Sequence, residues 1–573
     1  MSPRVRLALI VGLSLLLMSP TIFQGFIVDD PMILSVIEER YPDRPHSFDI
    51  YSVLHHQWEL PWWISPAFDL KFSRPLGSAL LRADHALFGR WAPGWHLHSL
   101  LWLALFVLAS ALFWNRIDPR LGWLVLLICM LDESFGFTAG WISNRHTLVA
   151  MAFGVAALWA HLRWREDGWR PGLPLACLFF VLALATSESG LVAFAYVGVY
   201  ELFAGPGSLR QRVLGLAPAL AIGLGYAILY SALGYGVHGG AAIYVDPAAD
   251  PLPFLAEASV RVPILLGGGI LGSPPHLWMF PEMRPMLVTI GLLSIAVLLG
   301  ALRLGWKTVP ETWRRHLWWL LPGALLSCIP LVAAFPSHRQ MIGPMVGIAP
   351  ALAVVLFLIR RDFWPAGSWR RWAGALLGLL LVLAHFVGAP ALQVGAVPIL
   401  RQTLHDGIEK NLESVPHWDP ADGFEEVVVL KGSDGMTTFY GPVFLDDKHR
   451  TRRGHWNVLS VAPFDHRWTR SGPRELELEV LSGEMLTTVA ETHYPLQENL
   501  VAGREIEFRG TRIRILEMGS RGPRKVAFEF PRELDDPRLL FLAWGEEGFR
   551  QVAAPALGES VVFPHVPSHV QFP

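Results

Sequence analysis

Apolar runs about as long as a membrane is thick recur along the first 400 residues of this 573-residue chain. Since a membrane helix needs about 20 mostly apolar residues, these runs predict about eleven membrane spans. They lie near residues 5–24, 94–114, 121–141, 146–163, 172–187, 189–204, 211–233, 285–303, 316–335, 341–359 and 372–392. The glycine-rich segment 260–272 is predicted as a re-entrant or surface helix. With 52% hydrophobic and 17% charged residues, the chain is predicted to be a polytopic α-helical membrane protein.

Basic residues cluster in every second connection between the apolar runs. Examples are Arg4 with Arg6, and the connections around 116–120, 303–315 and 360–371. Because Lys and Arg are retained on the cytoplasmic side, the clusters predict a cytoplasmic N-terminus and an outer location for everything after about residue 393. A composition rich in Arg, Ala, Gly and Trp is typical of a bacterial chain, which predicts an inner membrane with a periplasmic C-terminus.

The hydropathy pattern changes after residue 400, from long apolar runs to short alternating segments. Short alternating segments such as EEVVVL (425–430), ELELEVL (475–481) and TRIRILEM (511–518) are separated by Gly, Pro and Asp, as in strands joined by turns. We therefore predict a membrane domain over residues 1–400 and a C-terminal β-rich soluble domain, a sandwich, over residues 405–573.

Overall charge and cysteine content exclude some classes of protein. A formal net charge of -2 indicates no nucleic-acid partner. The three cysteines, Cys129, Cys177 and Cys328, all lie inside apolar runs, so they do not predict a disulfide framework in the outer domain.

Two adjacent carboxylates follow the first apolar run within a few residues, in FQGFIVDDPMILSV (23–36). Asp30 before Pro31 is a common start of a helix and predicts a cap for a short helix at 31–39. Charged groups at a membrane boundary are costly and usually face a cavity or a partner, which predicts a functional site. The sequence leaves both interpretations of Asp29 and Asp30 open.

Other polar residues map to the same outer end of the predicted membrane domain. They are Glu59, Arg74, His96, Arg145, Glu188, His338 and Arg339. Singly, the arginines read as interfacial anchors and the histidines as core residues. Together they predict a pocket for an anionic phosphate, because arginine binds phosphate bidentately. A carboxylate there acts as a general base or, in a pair, holds a divalent metal such as Mg²⁺ or Mn²⁺.

The order of these motifs resembles the membrane-embedded glycosyltransferases of the GT-C class, in particular the protein O-mannosyltransferase-like branch and the tetratricopeptide-repeat O-mannosyltransferases. The similar segments are the acidic pair, RPLGSALLRADHALFGRWAPGWHLHSLLWLAL (74–105), SNRHTLVAMAF (143–153), ATSESGLVAF (185–194) and PSHRQMIGPMVGIAP (336–350), so the resemblance covers residues 5–360. Ser187 stands where a Lys precedes the Glu in that family, and His338 where a Glu precedes the Arg. The β-rich tail replaces the family's helical repeats.

The resemblance implies a function and roles for these residues. The donor would be a polyprenyl-phosphate-linked sugar in the membrane lipid, and the acceptor a protein, lipid or glycan on the outer side, with inversion at the sugar. Asp29 or Asp30 would be the catalytic carboxylate, and Arg145 and Arg339 would hold the donor phosphate. Arg74, His96, Glu188 and His338 would complete the pocket, with Glu59 a possible second carboxylate. Metal dependence stays open.

Three other functions are compatible with parts of the sequence. A secondary transporter or flippase would place ionisable residues near the midplane and show paired repeats with broken helices, whereas here the polar residues collect at one boundary. A mere anchor for the β-rich domain would not need eleven spans. An O-antigen ligase or polymerase also has many spans and outer arginines, but the acidic pair after the first span favours monosaccharide transfer.

Overall fold

The computed structural model of the protein describes residues 2–40, 50–54, 58, 60–239, 243–360, 369–416, 424–449, 455–489 and 491–570. Up to residue 413 the described chain is mainly helical. Its α-helices are Pro3–Met18, Asp30–Ile37, Pro75–Phe88, Ala92–Ile117, Gly122–Met130, Ser134–Gly140, Arg145–Asp167, Gly172–Thr186, Leu191–Phe203, Leu209–Ala232, Pro251–Leu271, Arg284–Gly305, Glu311–Leu331, Met345–Arg360, Trp369–Leu383, Ala389–Leu400 and Asp406–Glu413. Short 3₁₀ turns join some of them at the end that the sequence predicts to face outward, the outer end: Ile142–Asn144, Glu188–Gly190 and His338–Gln340.

Among the described residues, seven helical stretches are long and apolar enough to cross a membrane, or eight if one bent pair is counted. They are Pro3–Phe23, Ala92–Ile117, Ile142–Asp167, Leu209–Ala232, Pro251–Leu271, Pro281–Gly305 and Arg371–Glu413. The chain is thus a multi-pass membrane protein, while the count of about eleven spans stays a prediction. The stretch Arg371–Glu413 runs without interruption across the predicted domain boundary at 400–405.

Two sequence predictions about spans need correction. Residues 121–141 are not one straight helix: Gly122–Met130 and Ser134–Gly140 meet at an angle of 64°. The break falls at Asp132 and Glu133, because a buried carboxylate is costly in a continuous apolar helix and is retained where it can face a partner or a cavity. Segment 260–272, expected as a re-entrant or surface helix, belongs instead mostly to the full-length helix Pro251–Leu271.

The connection after the first span folds into local structure of its own. Helix Pro75–Phe88 begins directly after Arg74, with Pro75 at its first position, and ends at Gly89, whose φ of +55° suits a residue without a side chain. Strands β1 (Ser52–Leu54), β2 (Asp69–Lys71) and β3 (Gly236–His238) form a small antiparallel sheet. This sheet joins the first outer connection to the one that follows Leu209–Ala232.

The predicted C-terminal β-rich region is present. Its strands are β4 (Glu426–Lys431), β5 (His455–Val458), β6 (His466–Arg470), β7 (Glu475–Val480), β8 (Glu505–Phe508), β9 (Thr511–Met518), β10 (Pro523–Glu529), β11 (Leu539–Gly545), β12 (Gly548–Gln551) and β13 (Ser560–Phe563). One sheet has six strands in the order β13-β6-β7-β10-β9-β8, and the other has four in the order β12-β11-β4-β5. In β7 the leucines and Val480 are buried while the glutamates alternate outward.

The four-stranded sheet is more mixed than a simple antiparallel sandwich. Strand β4 pairs in parallel with both β5 and β11. Helix Gly435–His449 lies between β4 and β5 in the chain and supplies the crossover that parallel neighbours require. The valines of β4 are fully buried, as expected for a central parallel strand.

The β-rich region packs directly on the first outer connection. The indole N–H of Trp62 donates to the Leu459 carbonyl at 2.9 Å, and that of Trp63 to the Glu491 carbonyl at 3.1 Å. Trp62 also meets the Phe528 ring edge-on at 5.8 Å between centroids. Side chains of both parts share one hydrophobic core. The outer region is therefore held over the end of the membrane helices.

Candidate active site

A cavity of about 1230 Å³ lies where the first outer connection, the outer ends of several helices and the β-rich region meet. Pockets for single ligands are typically about 300–1,000 Å³, so this cavity has room for a substrate and a second reactant. Of the residues predicted as site residues, five line it: Asp29, Arg74, Glu188, His338 and Arg339. The resulting mixture of acids, arginines and histidines lies in a mostly apolar enclosure.

Asp29 places one carboxylate at the wall of this cavity. It stands at the N-cap position of helix Asp30–Ile37, but its side chain accepts no hydrogen bond from that helix. Its Oδ1 instead accepts a hydrogen bond from the Tyr440 hydroxyl. Burial raises the pKa of Asp29, while the Tyr440 hydrogen bond and the Arg339 charge oppose that rise. The sequence predicts the cap at Asp30, but the helix begins at Asp30 itself with Asp29 at the N-cap position, and neither side chain accepts a hydrogen bond from the helix.

Asp30 has a different position, since it does not line the cavity and only 1% of its surface is exposed. Its carboxylate accepts from the Ile27 N–H at 3.0 Å, the Ser143 N–H at 2.8 Å and the Ser143 hydroxyl. Burial raises the pKa of Asp30 to about 7. These hydrogen bonds link the first outer connection to the start of the span Ile142–Asp167. Asp30 therefore stabilises the local structure beside Asp29.

The backbone before the acid pair adopts an uncommon conformation. Val28 has φ +51°, which is strained for a β-branched residue. Its N–H donates to Nδ1 of His405 at 3.1 Å. His405 belongs to the stretch Arg371–Glu413, which thus stabilises the strained backbone at Val28. Strain of this kind persists only where the surroundings impose it, and it is enriched at functional sites.

Arg339 brings to the cavity a positive charge that no described residue pairs with. Its guanidinium lies 5.4 Å from the Phe335 ring, and among the described residues it makes no hydrogen bond or ion pair. It is close enough to Asp29 and His146 to affect both electrostatically. A half-buried arginine without a protein partner is costly, and an anionic ligand in the cavity would satisfy it.

Arg74 is already engaged by protein groups. Its Nε donates to Glu188 at 2.9 Å and its Nη1 donates to Nε2 of His146 at 3.0 Å. The guanidinium also stacks near Tyr51 and Phe72, at 4.8 and 4.3 Å from the ring centroids. Since Nε2 of His146 accepts, its Nδ1 carries the proton and donates to the Ser187 hydroxyl at 3.1 Å. Arg74 and Glu188 thus form part of one cavity wall, and the charge of each is neutralised by the other.

His338 belongs to a chain of three titratable side chains on another wall. Its Nδ1 contacts the Glu133 carboxylate and its Nε2 lies 2.8 Å from Nδ1 of His276. Burial lowers the pKa of His276 to about 4. The sequence prediction missed Glu133, which was counted inside a membrane span, and His276. The sequence signal for Glu133 was its position next to Asp132 within an apolar run.

Besides Asp30, two residues predicted for the pocket lie outside it. Arg145 is buried, pairs with the Asp84 carboxylate, and donates to the Trp95 carbonyl at 3.0 Å. Its charge is therefore already neutralised, which argues against the phosphate-binding role predicted for it. His96 is also buried, with Nε2 3.0 Å from the Gly25 carbonyl, and acts as a core residue. Glu59 lies outside the described residues.

Tyrosine is the residue type that sequence reasoning overlooked. Seven of the ten tyrosines line the cavity: Tyr51, Tyr226, Tyr230, Tyr235, Tyr244, Tyr440 and Tyr494. Tyrosine offers an apolar ring and a polar hydroxyl, a combination suited to a sugar, which has both apolar faces and hydroxyl groups. The tyrosines come from distant parts of the chain, so no local motif could reveal their convergence.

Among the described residues, Asp29 and Asp30 do not present a pair of free carboxylates to the cavity, as a divalent metal would need. All three donors around Asp30 occupy its oxygens, and Asp29 is hydrogen-bonded to Tyr440. Among the described residues, the cluster of acids and histidines spaced to share an ion is His405, Asp406 and Glu409, and none of the three lines the cavity. The predicted Asp29–Asp30 metal pair therefore does not fit these side chains.

Comparison with known proteins gives distant structural neighbours. No protein-family model matches the chain, and no curated protein sequence matches it. It is similar to the oligosaccharyltransferase AglB from Archaeoglobus fulgidus, at 15% identity and TM-score 0.40, over 79% of this chain and 64% of that one. It is similar to arabinofuranosyltransferase AftD from Mycobacteria, at 16% identity and TM-score 0.43, over 80% of this chain and 32% of that one. It is also similar to ArnT from Cupriavidus metallidurans, at 14% identity and TM-score 0.38, over 74% of this chain and 82% of that one.

Proposed function

We propose that the protein is a membrane glycosyltransferase of the GT-C class that moves a sugar from a polyprenyl-phosphate donor to an acceptor on the extracytoplasmic side. The observation that carries this proposal is the shared cavity of Asp29 and Arg339, a carboxylate beside an arginine that lacks a protein partner among the described residues. The pair supplies a base and a phosphate-binding cation within one enclosed site.

The chemistry assigned to these residues is a direct displacement at the anomeric carbon. The acceptor hydroxyl oxygen attacks that carbon from the face opposite the phosphate, and its proton passes to the Asp29 carboxylate. The bond between the anomeric carbon and the phosphate oxygen breaks, and its electron pair leaves with the lipid phosphate. Arg339 stabilises the negative charge that develops there. The cavity tyrosines surround the sugar, and Arg74 with Glu188 fixes the wall beside it.

The proposal also covers the enzyme's branch, its membrane and the roles of individual residues. The enzyme would be a hexosyltransferase of the O-mannosyltransferase-like branch, in a bacterial inner membrane with a cytoplasmic N-terminus and a periplasmic β-rich domain. Asp29 is the catalytic carboxylate, and Asp30 is a positioning residue. Arg339 takes the phosphate-binding role, and His338 with Glu188 and Arg74 completes the pocket.

The test is donor turnover by the purified protein in lipid nanodiscs, with radiolabelled polyprenyl-phosphate sugars and a cell-envelope extract as acceptor. Asp29→Asn should abolish sugar transfer while donor binding persists. Asp250→Asn is the matched control, since this aspartate lies outside the cavity. Equal turnover by Asp29→Asn and wild type would contradict the role of Asp29. Failure to bind any polyprenyl phosphate would contradict the donor class.

One observation favours a second candidate, a transporter of an anionic or lipid-linked substrate. The bent pair Gly122–Met130 and Ser134–Gly140 carries Asp132 and Glu133 at its break, and broken helices with ionisable residues are typical of transporters. Movement of an intact labelled donor across a liposome membrane, without cleavage of its sugar–phosphate bond, would favour this alternative.

A further inference from the structure

The β-rich region supplies part of the cavity wall. Its contributors are Met436, Phe439, Tyr440, Val489, His493 and Tyr494. Among them, Tyr440 is the residue whose hydroxyl donates to a cavity carboxylate, that of Asp29. A region more than 400 residues away along the chain therefore contacts the proposed catalytic base directly.

In this contact the Tyr440 hydroxyl is the hydrogen-bond donor and keeps its proton. Burial raises the pKa of Tyr440 well above its usual value, so its hydroxyl keeps its proton at neutral pH. A hydrogen bond to an ionised carboxylate is shorter and stronger than one between neutral groups. The Tyr440 ring is held by edge-on contacts with Phe439 at 5.1 Å and Phe444 at 6.1 Å between centroids. The hydroxyl consequently has a fixed direction.

Ion pairs hold the helix that carries Tyr440 in place. Asp446 and Asp447 lie in the last turn of helix Gly435–His449 and pair with residues of the first outer connection. Arg40 donates to Asp446 at 2.5 Å and to Asp447 at 3.1 Å, and Arg90 donates to Asp447 at 2.8 Å. The Ser35 hydroxyl adds a bond to Asp446 at 3.3 Å. These contacts position Tyr440 against Asp29.

We propose that Tyr440 is a positioning residue that aims the Asp29 carboxylate into the cavity, so that the outer region is part of the active site. The proposal rests on the proposed function, since it presumes that Asp29 is the base. It also gives the outer region a role within the transfer reaction itself, beyond contact with an acceptor.

The expected effect on Asp29 follows from the groups that face it. Arg339 and Tyr440 favour its ionised form, while burial and the neighbouring Asp30 disfavour it. Tyr494 and Tyr244 lie close enough to Tyr440 to affect it electrostatically. Removing the Tyr440 hydroxyl removes one of the two favourable groups. The pKa of Asp29 must then rise, and the acidic limb of the pH–rate profile must move to higher pH.

The experiment compares Tyr440→Phe with Tyr494→Phe in the full-length protein in nanodiscs. Tyr494 lines the same cavity and packs on Phe439, so its variant controls for loss of a cavity hydroxyl. Infrared difference spectra against Asp29→Asn isolate the Asp29 carboxyl band and follow its titration without any substrate. Turnover against pH is measured in parallel.

For Tyr440→Phe we expect the Asp29 band to titrate at least about one pH unit higher than in wild type, and kcat to fall about 10-fold or more with little change in KM. Tyr494→Phe should titrate as wild type does. An unchanged Asp29 titration in Tyr440→Phe would overturn the proposal. If no donor is turned over by wild type, the proposed function fails, and the infrared titration still decides whether Tyr440 governs Asp29.

Discussion

Arg339→Ala is the most direct perturbation of the proposed donor site. The side chain has no protein hydrogen bond or ion pair within the described residues, so its removal leaves no protein group unsatisfied. We therefore expect the free energy of unfolding to change by about 0.5 kcal/mol or less. A hydrogen bond between a charged donor and a phosphate contributes about 1.5–3 kcal/mol, which corresponds to a loss of affinity of about 10- to 150-fold.

Electrostatics sets an upper limit to that effect. Two unit charges about 4 Å apart attract by about 4 kcal/mol at the effective dielectric constant of about 20 suited to such sites. A loss greater than about 1,000-fold would therefore mean that more than one contact had been broken. Arg339→Lys keeps the charge but not the planar fork, so its affinity should fall between those of wild type and Arg339→Ala.

The assay is equilibrium binding of undecaprenyl phosphate to the protein in nanodiscs of neutral lipid. Arg284→Ala is the matched control, because Arg284 lies near the same boundary, stacks on Trp278 at 4.1 Å and does not line the cavity. Thermal unfolding of both variants verifies that folding is retained. Equal affinity in wild type and Arg339→Ala would refute the assignment of Arg339 to the phosphate.

Three further predictions concern the neighbouring residues. The pKa of Asp30 is raised from 3.8 to about 7, so between these pH values the folded protein binds a proton that the unfolded chain does not, and stability should fall as pH rises. The melting temperature of Asp30→Asn should therefore depend less on pH in this interval than that of wild type. An equal pH dependence in the two proteins would contradict this prediction. Glu188→Gln should lower the melting temperature more than a double variant, Glu188→Leu with Arg74→Met, because only the single change leaves a charge unpaired. Arg145→Met should destabilise the fold by about 3 kcal/mol, because the buried Asp84 would lose its arginine partner and keep the His98 contact at 2.5 Å, and donor affinity of the folded fraction should be unchanged.

The contacts of the outer region bear on how the enzyme would recognise its acceptor. Phe439, Tyr440 and Tyr494 line the cavity from the β-rich region. Ion pairs through Arg40 and Arg90 hold that region in place. An acceptor would therefore approach a preformed wall, and the lost entropy of assembling that wall would not weaken its binding.

The sequence alone was sufficient for features that depend on composition and local order. Apolar runs identify membrane helices because the bilayer requires a length of chain without charge. Period-two alternation identifies strands such as β7, where burial follows the pattern residue by residue. The adjacency of Asp29 and Asp30 to the first span is likewise visible in the chain, and five of the predicted site residues do line one cavity.

Only the tertiary structure separated residues of the same type with opposite roles. Asp29 and Asp30 are neighbours in sequence, yet one faces the cavity and the other is enclosed by three donors. Arg145 follows the turn Ile142–Asn144 and Arg339 lies in the turn His338–Gln340, yet Asp84 neutralises the first, while the second makes no hydrogen bond or ion pair among the described residues. The reason is physical: a charge acts according to the partners and solvent around it, and those are set by contacts such as Tyr440 with Asp29 between residues hundreds of positions apart.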